Sequence, residues 1–325
     1  MAKKFPKISV VMLNYNGIQY LKRTIAPILN LDYPNYEAIV VDNGSTDGSI
    51  KYLESLNRIR LIRSPRIREK NFACNYAIKE AKGDFILLLD NDLEILNQDM
   101  LNNLIKEYQK EKKIGCLGLA FVDKDNKESS YYGGFLNQSF IKKNKPLKLE
   151  KIKKMHLQRI GFPHGAALFI KKSVWEEIGG YDENLRFGGD DNDIGMRLWM
   201  KGYDVRLYSK DIQKHIGAAE RMNNDKYKKK LKETTFSQFY TIVKDFAAYN
   251  MIIILIGFSV FSLIKSVKQS IFRKNVTVLL SFFTGCFLFI KNLDKAIKKR
   301  KEVQSERINK EDLFLKMKPL GLSEK

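Results

Sequence analysis

The stretch DFILLLDND, residues 84–92, joins a buried-type strand to an acidic ending. Its centre, residues 85–89, is an unbroken run of large apolar residues, which is typical of a strand covered on both faces. Asp90 and Asp92 follow directly, separated by Asn91. Packing alone rarely ends a buried strand on two carboxylates. The stretch therefore predicts a strand whose end is either an Asx turn or part of a polar ligand site.

The residues before this stretch alternate between buried-type strands and amphipathic helices. The predicted strands are KISVVML (7–13), YEAIVVD (36–42) and IRLIRS (59–64), and the predicted helices are residues 17–31, 47–56 and 71–81. This alternation predicts an α/β fold with a mostly parallel central sheet flanked by helices. Order returns at residues 165–209 after a Lys-rich stretch, 122–161, which we interpret as a loop or excursion rather than a second core.

The charge of the chain is high and uneven. The formal net charge is +21 over 325 residues, and residues 221–325 hold 22 Lys and Arg against 9 Asp and Glu. Basic clusters in that last third alternate with apolar runs, which favours a membrane surface over nucleic acid as the partner.

Cys74, Cys116 and Cys286 show no CxxC spacing, so neither a disulfide framework nor a zinc site is indicated. We expect a reducing, cytosolic setting, and the N-terminus has no apolar signal region.

The last third contains two uncharged apolar segments, 246–264 and 275–290. The first is just long enough to cross a bilayer and the second is short for it. The ten residues between them, KSVKQSIFRK, carry four positive charges and would lie outside in a spanning hairpin, against the positive-inside tendency. We therefore expect a peripheral or monotopic hairpin on the cytoplasmic face rather than two full spans. A pair of buried core helices is the alternative.

The patterns of the whole sequence divide the chain into two parts. Residues 1–220 form a predicted catalytic domain, and residues 221–325 form a predicted helical, membrane-associating extension.

Three predicted strands end in polar clusters at what would be the same edge of the sheet. The clusters are LNYN (13–16), DNGSTDGS (42–49) and DND (90–92). Ligands of open α/β sheets bind at the carboxyl ends of strands, so the clusters together predict a polar ligand site. The sequence has no GxGxxG after the first strand and no GxxxxGK[ST]. A divalent cation bridging Asp92 to phosphate oxygens is therefore the expected mode of diphosphate binding.

A second acidic cluster, GGDDNDIGMRLWMKG, follows at residues 188–202. Ile194 and Leu198 stand at helical spacing, so Asp190 and Asp191 should lie at a helix N-terminus, where the helix dipole favours their ionised form. Capping explains one Asp but not three in four positions. An ionised carboxylate aimed into a cleft is what a general base requires. A single histidine further on, in KDIQKHIGAAE, is either a metal ligand or an ordinary residue, and the histidine of the Lys-rich stretch is assigned no role.

These motifs resemble those of the family 2 glycosyltransferases, which have the GT-A fold. The resemblance covers roughly residues 7–217 and rests on ISVVMLNYNG, VVDNGSTDGS, NFACNYAI, LLLDNDLEI, GAALFIKKSVWEEIGGYDENL and GGDDNDIGMRL. The tail IKKRKEVQSERI resembles that of rhamnosyltransferase-like members. The resemblance implies a nucleotide-sugar donor (UDP-, dTDP- or GDP-linked), a glycan or lipid-linked acceptor and inversion at the anomeric carbon. It implies no nucleic acid partner.

The resemblance also implies roles for individual residues. Asp191 would be the catalytic base, and Asp92 and His215 would bind Mn²⁺ or Mg²⁺. Tyr15 would stack near the base of the nucleotide and Asp42 would hydrogen-bond its nucleoside. The full donor-binding set would be Tyr15, Asn16, Asp42, Asn75, Asp90 and Asn91. Residues implied on the acceptor side or in support of the site are His164, Gly165, Asp190 and Asp193.

The chain departs from the family pattern in three places. Asp190 stands where the family commonly has Glu, which makes its role less certain, and Asn71 and Cys74 replace frequent glycines, which leaves the donor sugar open. No QxxRW follows the catalytic motif, which favours transfer of one sugar per event over a processive synthase. Two other readings stay open: a sugar nucleotidyltransferase, and a non-catalytic basic protein that binds membrane or nucleic acid.

Overall fold

The computed structural model describes residues 5–123, 130–131, 133–135, 147–217, 223–312 and 315. Its first part has the predicted alternation of strands and helices. The strands are β1 (Ile8–Asn14), β2 (Tyr36–Asp42), β3 (Ile59–Arg63) and β4 (Phe85–Asp90), and the helices are α1 (Ile18–Leu29), α2 (Ser49–Glu54) and α3 (Lys70–Glu80). The strands lie in the order β3-β2-β1-β4 and all pairs among them are parallel.

The second part of the chain completes the sheet and adds helices. Its elements are β5 (Leu93–Glu94), α4 (Met100–Tyr108), β6 (Ile114–Asp123), β7 (Ser130–Tyr131), α5 (Leu149–Lys154), β8 (Ala167–Lys171), α6 (Lys172–Glu177), α7 (Asp190–Met200) and β9 (Asp204–His215). The sheet continues as β4-β8-β6-β9-β5, with β7 paired to β6. Among the nine described strands, β5, β7 and β8 run opposite to the other six. The α/β prediction is confirmed, with a mixed sheet in which most strands share one direction.

Strand β4 is buried on both faces, as its sequence predicts. Ile86 and Leu88 face one hydrophobic cluster, and Leu87 and Leu89 face the other. Both clusters form because helices cover each side of the sheet, so successive side chains of the strand find apolar neighbours whichever way they point. The polar residues of the strand are thereby confined to its end, at Asp90.

The Lys-rich stretch at 122–161 is described only in part. Residues 124–129, 132 and 136–146 lie outside the described residues, so the prediction of a loop cannot be compared with the structure there. The described remainder contains β7 and α5. The predicted domain boundary at residue 220 also falls outside the described residues, and the division stays a prediction.

The described residues of the C-terminal part form four helices. They are α8 (Asn224–Asp245), α9 (Ala248–Phe272), α10 (Thr277–Lys291) and α11 (Leu293–Ser305). Helix α9 begins near the predicted start of the first apolar segment but runs past its predicted end at 264, so Lys265 and Lys268 lie in its last turns instead of in a connection. Phe239 and Ile242 of α8 belong to the same hydrophobic cluster as Ile194 of α7. The helical part therefore shares a core with the sheet.

Helix α9 is long and apolar enough to cross a membrane. Its most apolar window has a mean hydropathy of 2.0, and only 17% of that window is buried. Helices α10 and α11 pass the same test only as a pair, and they meet at an angle of 61°. The alternative of two buried core helices is wrong for α9, since most of its apolar side chains face outward.

Candidate active site

Asn14 joins the ends of three parallel strands. Its side chain is fully buried, and its Nδ2 donates to Asp42 Oδ1 at 2.9 Å, while its Oδ1 accepts from Asn91 Nδ2 at 2.8 Å. These bonds connect β1, β2 and the turn after β4, so the three polar clusters do meet at one sheet edge. The sequence reasoning singled out two other residues of LNYN and missed Asn14. An Asn in the last position of a buried strand is the signal that identifies it.

Asn91 shapes the turn between the two carboxylates of DND. Its carbonyl oxygen accepts from Thr24 Oγ1 at 2.9 Å. Gly17 approaches the same residue so closely that a Cβ there would lie 1.9 Å from Asn91 Nδ2. The amide therefore fixes the orientation of the turn, and only glycine at position 17 leaves room for it.

The second polar cluster forms a compact loop beside an exposed aromatic ring. Asp42 is buried, and its Oδ2 accepts from the backbone N–H groups of Gly44 and Ser45 at 3.0 and 2.9 Å. Asn16 Oδ1 accepts from the N–H of Thr46 at 2.8 Å, which holds the far side of the loop. Both side chains thus build the loop.

Tyr15, next to Asn16, is 41% exposed. The Arg68 guanidinium carbon lies 5.9 Å from the centroid of its ring. A flat aromatic face with a cation beside it can stack a nucleobase. Arg68 was not predicted; it lies between the third strand and the following helix, where the sequence offers no periodic signal.

Lys70, the first residue of α3, lies between two carboxylates of the predicted site. Its Nζ is 3.9 Å from Asp90 Oδ1 and 3.5 Å from Asp190 Oδ2. Burial lowers the pKa of Lys70, but the attraction of Asp90 and Asp190 raises it well above the ordinary value. Burial also raises the pKa of Asp90, and Lys70 opposes that shift. Lys70 was missed because one lysine in a Lys-rich sequence carries no signal.

Helix α7 presents the second acidic cluster to the same cleft. Gly188 and Gly189 precede it with φ of +70° and +105°, a left-handed turn that glycine adopts without strain. Asp190 and Asp191 then lie in the first turn of the helix, at the positive end of its dipole. A Cβ built on Gly165 would be 3.6 Å from Asp191 Cβ, so Gly165 faces this turn across the cleft.

Asp193 lies behind the cleft in a buried ion cluster. It is fully buried, and its Oδ2 accepts from Arg197 Nη2 at 2.5 Å. Lys244 of α8 pairs with Asp193 and, at 2.8 Å, with Asp182. Burial would raise the pKa of Asp193, but Arg197 and Lys244 outweigh it and lower the pKa below the ordinary value. Burial raises the pKa of the neighbouring Asp245. Asp193 therefore anchors α7 to α8 from the interior.

Asp92 and His215 meet at the predicted metal position. Asp92 Oδ2 lies 3.2 Å from His215 Nε2, and Leu93 pairs with His215 between β5 and β9. Within the described residues, Asp92 Oδ1 is buried without a hydrogen-bond partner. A Cβ on Gly217 would lie 2.1 Å from Asp92 Oδ2, so glycine leaves that oxygen its space.

This pair fits a divalent cation in part. A buried oxygen with no donor and an imidazole nitrogen nearby are suitable ligands for Mn²⁺ or Mg²⁺. No group of three or more His, Cys, Asp or Glu in the described part of the chain could hold a metal ion. The protein would therefore supply two ligands, and phosphate oxygens and water the rest.

His164 and Asn75 occupy different positions relative to this cleft. His164 Nδ1 accepts from the N–H of Ala166 at 3.1 Å, and its ring meets Phe121 edge-on with centroids 4.7 Å apart. Phe121 stacks on His215 at 5.4 Å on the other side, so His164 supports the metal position through this ring. Asn75 exchanges hydrogen bonds of 2.9 Å with the backbone N–H and C=O of Tyr181. Its amide thus holds the segment before α7.

The fold and these motifs place the chain in a known family. The sequence profile of glycosyl transferase family 2 matches residues 9–179, more than half of the chain. The chain belongs to glycosyl transferase family 2, which confirms the predicted membership. A second profile, described as the N-terminal domain of galactosyltransferase, matches residues 159–220, the part that carries α7.

Named relatives match shorter stretches. The chain is 36% identical over 103 residues to an uncharacterized glycosyltransferase of Haemophilus influenzae, which covers 30% of this chain and 41% of the relative. It is 31% identical over 137 residues to glycosyltransferase GlyG of Streptococcus pneumoniae, which covers 41% of this chain and 45% of GlyG. The chain thus spans less than half the length of these relatives.

Solved structures share the GT-A fold over most of the chain. S. aureus TarS 1-349 in complex with UDP-GlcNAc aligns with a TM-score of 0.58 at 14% identity, covering 95% of this chain and 90% of TarS 1-349. The mannosyltransferase PcManGT from Pyrobaculum calidifontis, in complex with GDP-Man and Mn²⁺, aligns with a TM-score of 0.54 at 16% identity, covering 94% of this chain and 86% of PcManGT. At these identities the likeness establishes the fold.

Proposed function

We propose that the protein is a metal-dependent, inverting glycosyltransferase. It would transfer one sugar from a nucleotide-sugar to a glycan or lipid-linked acceptor in the synthesis of a cell-surface polysaccharide or glycoconjugate. The observation that carries the proposal is that Lys70 lies between Asp190, in the first turn of α7, and Asp90, two residues before the Asp92 that pairs with His215. The complexes of TarS with UDP-GlcNAc and of PcManGT with GDP-Man support the donor class.

The donor would bind along the ends of β1, β2 and β4. Tyr15 and Arg68 form an exposed face that suits the base, and Asp42 shapes the adjoining loop. The sugar would then extend past Asp90 towards α7. Uracil, thymine and guanine can all stack on such a face, so UDP-, dTDP- and GDP-sugars are all candidate donors.

Asp92 and His215 would hold Mn²⁺ or Mg²⁺ on the diphosphate. A bound divalent ion neutralises the negative charge that the leaving nucleoside diphosphate acquires. The chain itself orients the two ligands. The pairing of β5 with β9 fixes His215, and the hydrogen bond between the side chains of Asn14 and Asn91 fixes the turn that carries Asp92.

Asp191 would act as the general base. It takes the proton of the acceptor hydroxyl while that oxygen bonds to the anomeric carbon, and the bond from this carbon to the diphosphate oxygen breaks with its electron pair going to the leaving group. Direct displacement of this kind inverts the anomeric configuration. Asp191 lies in the first turn of α7, and a carboxylate positioned in the cleft is a suitable acceptor for this proton.

The protein would work on the cytoplasmic face of a membrane, lying on one leaflet. Exposed apolar residues of α9 recur at helical spacing, among them Tyr249, Ile253, Ile256, Val260 and Ile264, and α10 continues the pattern. Two neighbouring helices thus present one continuous apolar surface.

Basic residues lie among the last exposed apolar residues of that surface, which include Val267, Ile271 and Phe272. Lys265 and Lys268 occupy the last turns of α9, and Arg273 and Lys274 follow at the turn into α10. Cations beside a buried apolar face add attraction to anionic lipid. A lipid-linked acceptor would then reach the cleft from the same surface.

A panel of nucleotide-sugars tests the proposal. The purified full chain is incubated with UDP-, dTDP- and GDP-sugars in Mn²⁺, Mg²⁺ or EDTA, and release of nucleoside diphosphate and thermal stabilisation are measured. We expect stabilisation and slow hydrolysis by at least one donor, with metal only. Release of pyrophosphate from a nucleoside triphosphate and a sugar phosphate would instead support a nucleotidyltransferase. Equal nucleotide affinity with EDTA and with metal would overturn the site.

A further inference from the structure

Lys70 places one ammonium group between the donor side and the acceptor side of the cleft. Asp90 ends β4, on the donor side, and Asp190 begins α7, on the acceptor side. The Nζ of Lys70 lies 3.9 Å from the first carboxylate and 3.5 Å from the second. Both distances exceed a hydrogen bond, so the contact is a charge bridge between two elements distant in sequence.

The surroundings of Lys70 show why such a bridge is needed. Asp90 and Asp190 belong to different elements and carry the same charge, so without a cation they would repel each other. The glycine turn before α7 packs against α8 on its interior side, since a Cβ on Gly188 would lie 3.5 Å from Thr234 and one on Gly189 would lie 3.5 Å from Ser237. On the cleft side, Lys70 approaches the Asp190 carboxylate and so adds a contact to those that α8 makes from the interior.

The side chain of Lys70 is suited to this role and is not an ordinary surface lysine. It is 32% exposed, with its charged end directed into the cleft. A Cβ on Gly165 would lie 3.8 Å from Lys70 Nζ and 3.6 Å from Asp191 Cβ, so the ammonium, Gly165 and Asp191 are mutual neighbours. A shift of Asp190 would move Asp191 with it, because the two are consecutive residues of one helical turn.

From this geometry we propose that Lys70 is a positioning residue: it draws Asp190 towards Asp90 and so holds Asp191 in place against the donor sugar. The inference rests on the proposed function, since it assigns Asp191 the task of accepting the acceptor proton. Lys70 would touch neither the metal ion nor the transferred proton. It would set the distance over which the acceptor oxygen approaches the anomeric carbon, and a displacement of about 1 Å there can cost about a hundredfold in rate.

The test compares Lys70→Met, Lys70→Arg and the matched control Lys79→Met, an exposed lysine of the same helix. We expect Lys70→Met to lower kcat at least about tenfold while metal-dependent affinity for the nucleoside diphosphate stays within about twofold. Lys70→Arg should recover most of kcat because it keeps the charge. Lys79→Met should behave as wild type. A normal kcat in Lys70→Met, or a loss confined to nucleotide affinity, would overturn the inference.

A double-mutant cycle separates this inference from the proposed function. Asp190→Asn, Lys70→Met and the double variant are compared in kcat and in thermal midpoint. If the bridge exists, Lys70→Met lowers both quantities less in Asp190→Asn than in the wild type, because only its contact with Asp90 is then left to lose. Additive losses would overturn the bridge while wild-type turnover stands. A wild-type protein that turns over no donor would overturn the proposed function and the catalytic role of Lys70, and the midpoints would still report on the bridge.

Discussion

Asp92 Oδ2 and His215 Nε2 lie 3.2 Å apart although the two residues are distant in the sequence: Asp92 follows β4, and His215 ends β9. Two backbone features hold them there: Leu93 pairs with His215, and the N–H of Ile216 donates to the C=O of Asp92 at 2.8 Å. The pair is thus set by the sheet and does not depend on flexible side chains finding each other. If this pair is the proposed metal site, its two ligands are already in place before the cation and the donor diphosphate bind.

We expect loss of either ligand to remove metal-dependent nucleotide binding. Asp92→Asn and His215→Ala should each weaken the affinity for a nucleoside diphosphate in Mn²⁺ at least about tenfold, because each removes one of two protein ligands. Isothermal titration with and without EDTA measures this. The matched control is Asp225→Asn, whose carboxylate is 88% exposed on α8. Wild-type affinity in both ligand variants would remove Asp92 and His215 from the metal position.

We expect Asp191→Asn to separate binding from turnover. The amide is nearly the same size but cannot accept the acceptor proton, so kcat should fall by about 10²–10⁴-fold while nucleotide affinity stays within about twofold. Steady-state kinetics and titration on one preparation give both numbers. Turnover at the wild-type rate would show that another group accepts the proton.

We expect Lys244→Met to unfold the protein more readily than any exposed lysine change. The substitution leaves Asp193 and Asp182 with one cation fewer in the interior, which should cost about 3–5 kcal/mol of unfolding free energy. Urea denaturation measures the loss. Lys229→Met, an exposed position on the same helix, is the control and should change the unfolding free energy by less than about 0.5 kcal/mol. Equal stability of the two variants would mean that the cluster contributes little.

We expect the exposed face of α9 to bind anionic vesicles. Ile256 and Ile264 are 63% and 50% exposed, so replacing both with Asn should leave the fold intact and weaken flotation with phosphatidylglycerol vesicles at least about tenfold. Replacing both with Leu should keep binding at the wild-type level. Co-flotation of the Asn variant at wild-type strength would place the contact elsewhere. Equal binding of the wild type to neutral vesicles would show that the basic residues add nothing to it.

Much of the sheet could be predicted because its signals are local. The apolar run of β4 and the polar residues that end β1, β2 and β4 appear in consecutive positions, and a parallel sheet brings such ends together by geometry. The place of Asp190 and Asp191 at the start of a helix was predicted for the same reason, since glycines, carboxylates and helical spacing stand side by side. The antiparallel direction of β8 and its place between β4 and β6 could not be predicted, because the periodicity of one strand does not encode its pairing partners.

The residues that were missed act over long sequence distances. Lys70 matters only because Asp90 and Asp190 converge on it, and Asn14 only because two other strand ends lie beside it. Lys244 could not be distinguished from other lysines of α8 until its burial against α7 was known. The length of α9 was underestimated because Lys265 and Lys268 were taken to end the helix. Charged residues in the last turns of a helix are compatible with its continuation.

The buried ion cluster that joins α7 to α8 has a practical consequence for the preparation of this protein. A truncation after the last strand would delete Lys244 together with the apolar helices, leaving Asp182 and Asp193 with less counter-charge and uncovering the hydrophobic side of α7. Deleting the apolar C-terminal helices to gain solubility would therefore weaken the packing of α7, the helix that carries the proposed base Asp191. A more soluble variant should keep every helix and replace only the exposed apolar residues of α9 and α10 with polar ones.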